Sequence, residues 1–318
     1  MNNYNEEKAS NNEIDVKAII KLIWKEKWLV LALSSVISLS TLIYAINQPN
    51  IYKSEALLFP NENSVMNNSL SQISAQFGGL AQMAGISANV GSENKTQVAI
   101  SKLRSFEFFK DYIYEDIIIE LMAGKEWDPI SKEIIIDKKI FDEKNKKWIR
   151  QPSKNKRVKP SPQEVFVEYK KIVFVIKDRL SGFVTIRVEY ISPFFVKRLA
   201  DLIVFSINES MKINDIRESK NSIDFLIEQQ QRTSLISLDG VFSSLIEEQT
   251  KKMMLANVSE EYIYTLIDPP IIPENKIRPG RAIMCITGSI LGGIFSIIFV
   301  LTRRVFIDRK ISIRRLIE

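Results

Sequence analysis

The sequence predicts an α+β chain held twice in a membrane, a hairpin of two spans enclosing one large external domain with a long helical arm. Three observations predict it. Neither Trp28–Tyr52 nor Ala282–Thr302 contains a charged residue, and each supplies about 20 residues fit for a hydrocarbon core about 30 Å thick. Between them the apolar periodicity changes repeatedly between two, as in strands, and 3.6, as in helices. From Pro193 a helical pattern runs on through Leu199, Ile203, Ile207, Met211, Ile216, Ile223 and Leu226 to about Ser237.

Taken in order, residues 1–27 form a cytoplasmic leader, 28–47 the first span, 48–281 the external domain, 282–302 the second span and 303–318 a basic tail. The leader holds Glu6, Glu7, Glu13, Asp15 and Glu26. It is therefore unlike the short basic start of a cleaved signal peptide, and the first span reads as a retained anchor. Lys17, Lys21, Lys25 and Lys27 precede that span, while Arg303, Arg304, Arg309 and Lys310 follow the second. Basic residues stay on the cytoplasmic side, so both termini are expected there.

Within the external domain, Ile51–Pro60 reads as a strand carrying Tyr52, Glu55, Leu57 and Phe59. Asn61–Ala88 reads as a helix interrupted at Gly78-Gly79 and Gly85. Thr96–Tyr114 predicts one firm helix with Val98, Leu103, Phe106 and Phe109 on its apolar side. Lys138–Lys159 carries ten Lys/Arg and two acids around Trp148. It reads as a hairpin with a solvated loop, and Lys146, Lys147 and Arg150 are the candidate contacts for a polyanion. Gln163–Ile176 predicts a helix and Phe183–Tyr190 a strand of strict alternation.

Pro193 suits a helix first turn. The long helix, about 193–237, has too polar a second half (Glu228 to Arg232) for a compact core to cover, so a projecting arm or a subunit contact is expected. After Asp239-Gly240 a second helix covers Val241–Asn257, and a strand over Glu261–Ile267 leads back toward the membrane.

Composition restricts the chemistry. The 318 residues include no His and a single Cys285, so His-based nucleophile systems, His-ligated metals and intramolecular disulfides are excluded. No phosphate-binding G-x-x-x-x-G-K-[ST] loop occurs. The acid pairs Glu247/Glu248 and Glu260/Glu261 are sequence neighbours, which point to different helix faces. No catalytic residue, cofactor or metal is expected. The formal charge of +6 arises largely from residues 303–318, with six basic and two acidic side chains. A basic tail beside an apolar run points to membrane lipids and away from nucleic acid.

The segment before the second span is more informative. Pro269, Pro270, Pro273 and Pro279 fix φ and withhold amide donors, giving a stiff connector down to Gly280. In the span itself, Gly288, Gly292 and Gly293 permit close helix approach, and the four-residue step from Gly288 to Gly292 is that of a packing face.

These features together resemble the chain-length determinant (Wzz) family, the polysaccharide co-polymerases. The proline-glycine signature reads Pro270-x2-Pro273-x4-Arg278-Pro279-Gly280, then Gly292-Gly293 after eleven residues. Arg278 stands where serine is usual and Gly280 where lysine is usual. Ile14-Asp15 with Leu22, Trp24, Lys27 and Trp28 is similar to the family leader. So are Gly78-Gly79-Leu80-Ala81, Lys147-Trp148-Ile149-Arg150 and the run from Glu261 to Pro269 to other family segments. The resemblance implies a bacterial inner-membrane protein of the kinase-free class, with a periplasmic α/β base domain. It further implies a ring-shaped homo-oligomer, about octameric, that sets the length of O-antigen or a related glycan. The partners implied are a Wzy-type polymerase and a lipid-linked glycan. Rival readings are an export-linked adaptor for capsule, a two-span sensor and a periplasmic glycan-cleaving enzyme.

Overall fold

The computed structural model describes residues 24–61, 92–152, 156–232 and 236–315. Most of the leader, the Gly78-Gly79 segment and the side chains of the basic tail beyond 303 lie outside the described residues. The chain divides into two units, residues 1–49 with 278–318 and residues 50–277.

The first unit is a pair of helices, α1 (Lys27–Asn47) and α8 (Arg281–Arg315). Lys27–Asn47 and Arg281–Arg303 are each long and apolar enough to cross a membrane.

The second unit is built on a four-stranded antiparallel sheet of order β6-β7-β1-β8. Its strands are β1 (Tyr52–Pro60), β6 (Val173–Lys177), β7 (Val184–Tyr190) and β8 (Tyr264–Asp268). The alternation in β7 buries Val184, Ile186 and Val188. The strand expected over Ile51–Pro60 is present as β1, and its inner face is Ser54, Ala56 and Leu58, with Tyr52 half-buried against the same core and Glu55, Leu57 and Phe59 more accessible. The register explains this. Glu55 lies opposite Arg187, and Leu58 opposite Val184, so the Glu55–Arg187 ion pair takes the solvated side. An antiparallel sheet with one wet face shows this division.

Helix α6 (Pro193–Arg232) covers the inner face. Val196, Leu199, Ala200, Ile203 and Ile207 are all but inaccessible and join the sheet residues in a single core. Pro193 opens the helix, where its missing amide costs nothing. At 40 residues the helix is about 60 Å long, and beyond Asp215 its only buried positions are Ser219 and Leu226. Helix α7 (Ile236–Val258) packs back along it, with a small apolar contact of Leu226 and Leu245 against Val241, Phe242 and Ile246. Asp239-Gly240, expected between the helices, lies inside the first turns of α7. An acid there favours the helix N-terminus, which offsets the backbone freedom of glycine.

The remaining elements flank the sheet. The region expected as one helix over Thr96–Tyr114 is divided between α2 (Ser92–Leu103) and α3 (Phe106–Tyr112), and a third helix, α4 (Tyr114–Ala123), begins at its last residue. Ser105 divides the region by capping α3, its hydroxyl accepting from Phe108 N at 3.2 Å. Val98 faces outward, and Ala99, Ile100, Leu103, Phe108 and Phe109 are the buried set. The hairpins β2 (Gly124–Asp128)/β3 (Glu133–Ile136) and β4 (Phe141–Asp142)/β5 (Lys147–Trp148) follow. Helix α5 covers Pro162–Ile172, shorter than the expected Gln163–Ile176. The run Val173-Phe174-Val175-Ile176 prefers a pleated strand and pairs with β7 as β6.

A side-chain hydrogen bond reaches each edge strand of the sheet. Arg104 donates to Val175 O at 2.7 Å on β6, and Glu261 accepts from Leu266 N at 3.3 Å on β8.

Two buried polar groups hold α6 to the rest. The Asn208 amide oxygen accepts from Ile263 N (2.9 Å) and Tyr264 N (3.0 Å), while its nitrogen donates to Tyr264 O (3.2 Å). Two turns on, the Asp215 carboxylate accepts from Tyr262 Oη and from Lys95 Nζ at 2.9 Å, with Lys252 Nζ at 3.9 Å. Burial pushes that carboxyl up, but the two ammonium groups and the tyrosine outweigh it and hold it below the usual range. We therefore expect Asp215→Ala to cost roughly 3–5 kcal/mol, the loss of one partner from a buried pair. Amide exchange should show α6 loosening beyond residue 208 before the sheet does.

Candidate functional site

The glycines of the second span are placed by the helix pair. In α8, Gly292, Ser296 and Val300 are buried, with Met284 and Gly288 half-buried, a stripe at four-residue steps. In α1 the matching stripe is Leu33, Ile37, Thr41 and Ala45. A Cβ at Gly288 would lie 2.5 Å from Thr41 Cγ2, and one at Gly292 3.0 Å from Ile37 Cγ2. Both neighbours are β-branched and stiff at χ1, so neither yields by turning. Gly293 differs, since nothing lies within 4 Å of a Cβ built there. Gly288 and Gly292 thus close the pair, and Gly293 looks outward.

Polar contacts fix the pair along its length. Ser38 Oγ donates to Ser289 Oγ at 3.1 Å. At one end Arg281 donates from Nε to Ala45 O (3.1 Å) and from Nη2 to Gln48 O (3.3 Å) and Ile46 O (3.5 Å). Helix α1 has no basic residue in its own last turn, and its final carbonyls carry partial negative charge. The guanidinium from α8 supplies what α1 lacks. At the other end Arg303 meets Glu26 at 3.5 Å. In the sequence Arg281 stands only as the charge that borders the uncharged run Ala282–Thr302. Its position at the first residue of the second helix was the available signal.

The prolines act within the second unit up to Ile277. Pro270 is buried and Pro273 half-buried. Between and after them, Ser54 Oγ donates to Ile271 O (2.8 Å), Ile277 N to Ile51 O (2.8 Å) and Lys276 Nζ to Asn50 Oδ1 (2.9 Å). The connector is fastened to the start of β1 at several points. Pro279 stands past the division, in the unit of the spans.

The basic segment separates into two kinds of residue. Lys146 and Lys147 are exposed on the β4/β5 turn, Lys146 with φ 48°. Asp142 organises that turn by accepting from Lys144 N at 3.0 Å and Asn145 Nδ2 at 2.8 Å. Arg150 faces inward. It binds both oxygens of Glu164, at 2.7 and 2.8 Å, and donates to Val158 O and Arg157 O, each at 2.8 Å. Every guanidinium nitrogen is engaged. The bidentate arginine, with Lys156 adding to it, holds the Glu164 carboxyl down at about 2.

A groove of about 460 Å³ lies between α4, the β2/β3 hairpin and the start of α6. In its lining Arg198 meets Glu120 at 2.6 Å, and the Lys132 ammonium stands 5.7 Å from the Phe194 ring centre. Among the described residues there is no group of acids or Cys suited to a metal ion.

Residues 12–115 match the family model "Wzz: Chain length determinant protein". Among curated proteins none matches. Of solved structures, a "full-length bacterial polysaccharide co-polymerase" aligns over 92% of this chain and 99% of its own, at 9% identity and a TM-score of 0.45. A "Fragment of WzzB, Polysaccharide Co-polymerase from Salmonella Typhimurium" aligns over 72% of this chain and 100% of its own, at 10% identity and a TM-score of 0.31.

Two outcomes follow from the geometry. Gly288→Leu should lower the stability of the detergent-solubilised protein by about 1–3 kcal/mol through overpacking. Gly293→Leu should leave it within about 0.5 kcal/mol, both read by thermal melting. Arg150→Ala should cost about 1–3 kcal/mol near neutral pH. Because the folded Glu164 pKa is depressed from 4.5 to about 2, the stability it confers is complete above 4.5 and is lost as pH falls toward 2. The gap between wild type and Arg150→Ala should therefore narrow across that interval in denaturant titrations.

Proposed function

We propose that this protein is a non-enzymatic regulator of surface-polysaccharide chain length in a bacterial inner membrane. The match of residues 12–115 to the chain length determinant model carries the reading. In it, α1 and α8 cross the bilayer, both termini are cytoplasmic and residues 50–277 stand in the periplasm. Copies assemble into a ring and meet a Wzy-type polymerase through the spans and their flanks. Lipid-linked glycan, O-antigen or a related polymer, is extended or released according to ring geometry or occupancy.

The residues divide the labour in this proposal. Gly288 and Gly292 set the approach of the two spans, which leaves Gly293 as the small residue available to a partner helix. Pro270, Pro273 and Pro279 stiffen the passage from sheet to span, so that movement of one is passed to the other. Lys146 and Lys147 are the exposed cations for polyanionic glycan or headgroup, and Arg150 orients their hairpin through Glu164.

The test is the gel ladder of surface polysaccharide from cells with and without the gene. A modal cluster that decays smoothly on deletion is the expected result, and an unchanged ladder sinks the proposal. Complementation with Gly293→Leu at normal protein level should broaden the distribution. Retained modal length there removes Gly293 from the mechanism.

A further inference from the structure

Two hairpin tips in the second unit are built alike. At Asp128-Pro-Ile-Ser-Lys132 and Asp178-Arg-Leu-Ser-Gly182, the aspartate Oδ1 accepts from the amide two residues on, at 2.9 Å to Ile130 N and 2.8 Å to Leu180 N. Its carbonyl accepts from the fifth residue, Lys132 N at 2.9 Å and Gly182 N at 3.0 Å, and that residue has positive φ, 58° and 75°. Each turn lifts one aliphatic side chain wholly into the surroundings, Ile130 at 92% and Leu180 at 99% exposure. Turns normally carry polar residues at such positions.

The tips sit at opposite ends of the sheet. Leu180 follows Lys177, which pairs with Val184, itself opposite Leu58 near the end of β1. Ile130 follows Trp127, whose ring lies 5.5 Å from that of Tyr52 at the start of β1. The Lys132 ammonium rests over Phe194, close after Tyr190, the partner of Tyr52. That end is also where the chain enters and leaves the unit, since Ile277 N bonds Ile51 O. Only residues 48–50 separate α1 from Ile51, and only residues 278–280 separate Ile277 from α8. Even fully extended, each link spans no more than about 14 Å. The connector adds exposed Ile271, Ile272 and Ile277 to the same end.

We infer that the β2/β3 tip is a lipid contact: Ile130 dips into the headgroup–acyl boundary of the leaflet into which the two links run. This rests on the proposal that α1 and α8 span a bilayer. The contact is apolar in character. Pro129, Ile130 and Ser131 carry no charge, Asp128 turns its carboxylate onto the tip's own amides, and Lys125 and Lys132 are offset by Glu126 and Glu133. It should therefore form on zwitterionic lipid and persist in salt.

The test uses the full chain in phosphatidylcholine nanodiscs with Cys285→Ala, and a polarity-sensitive fluorophore on a single cysteine at Ile130, Leu180 or Leu39. Leu39 lies exposed on the first span and Leu180 is the matched tip at the far end. The Ile130→Cys probe should lose roughly half its emission to a shallow lipid-borne quencher, as fits a depth of about 5–10 Å. The Leu180→Cys probe should lose none and be quenched by aqueous iodide instead. Iodide quenching at 130 equal to that at 180 overturns the inference, as does protection of 130 from both quenchers, the mark of cover by a second copy. If Leu39→Cys also escapes the lipid quencher, the spanning reading itself has failed. If Leu39→Cys is quenched and Ile130→Cys is not, only the lipid contact has.

Discussion

The structure depends on one helix living in two environments. The first half of α6 closes the core over the sheet and is apolar enough to do so. The second half leaves that cover while remaining one continuous helix. Where the helix passes from one environment to the other the chain places Asn208 and Asp215. Asn208 satisfies both the amides and the carbonyl where β8 begins, and Asp215 gathers Lys95, Lys252 and Tyr262. Sites of this kind contribute little net energy while complete and are costly when broken. They specify where the core ends more than they strengthen it.

Much of this was legible in the residues, and the failures have physical causes. The long helix and β7 were visible because their periodicities run for many residues without interruption. Strand β1 is legible as a strand but its inner face is not: the buried positions are Ser54, Ala56 and Leu58, two of them small, while Leu57 and Phe59 are the larger apolar residues. Burial there is decided by the Glu55–Arg187 register across strands, which no local pattern contains. The end of α5 was misplaced because an apolar run fits a buried strand as well as a helix. Asp215 sits in the inner stripe four residues after Met211, yet its partners come from residues 95, 252 and 262, and only the fold unites them.

The candidate residues show the same division. Glycine spacing in the second span was plain, but which glycine faces the first span is a question of helix phase, answered by Thr41 and Ile37. The basic run was plain too, yet its arginine and its lysines serve different ends. A planar guanidinium beside Glu164 is drawn into bidentate pairing, while a lysine at a turn with positive φ stays in solvent. Charge counting could not separate them.

The two edges of the sheet bear on assembly. A strand with free amides and carbonyls invites another copy to continue the sheet, and such growth has no natural end. Arg104 on Val175 and Glu261 on Leu266 are contacts that a strand pairing at either edge would have to displace. Under the proposed function, copies then recognise one another through side chains and helices. Contacts of that kind allow a small change in surface residues to alter the angle between neighbours, and hence the number that closes a circle. A sheet continued by backbone pairing would fix that angle by its own twist. Edges contacted in this way therefore leave the circumference of the assembly open to adjustment by point mutation.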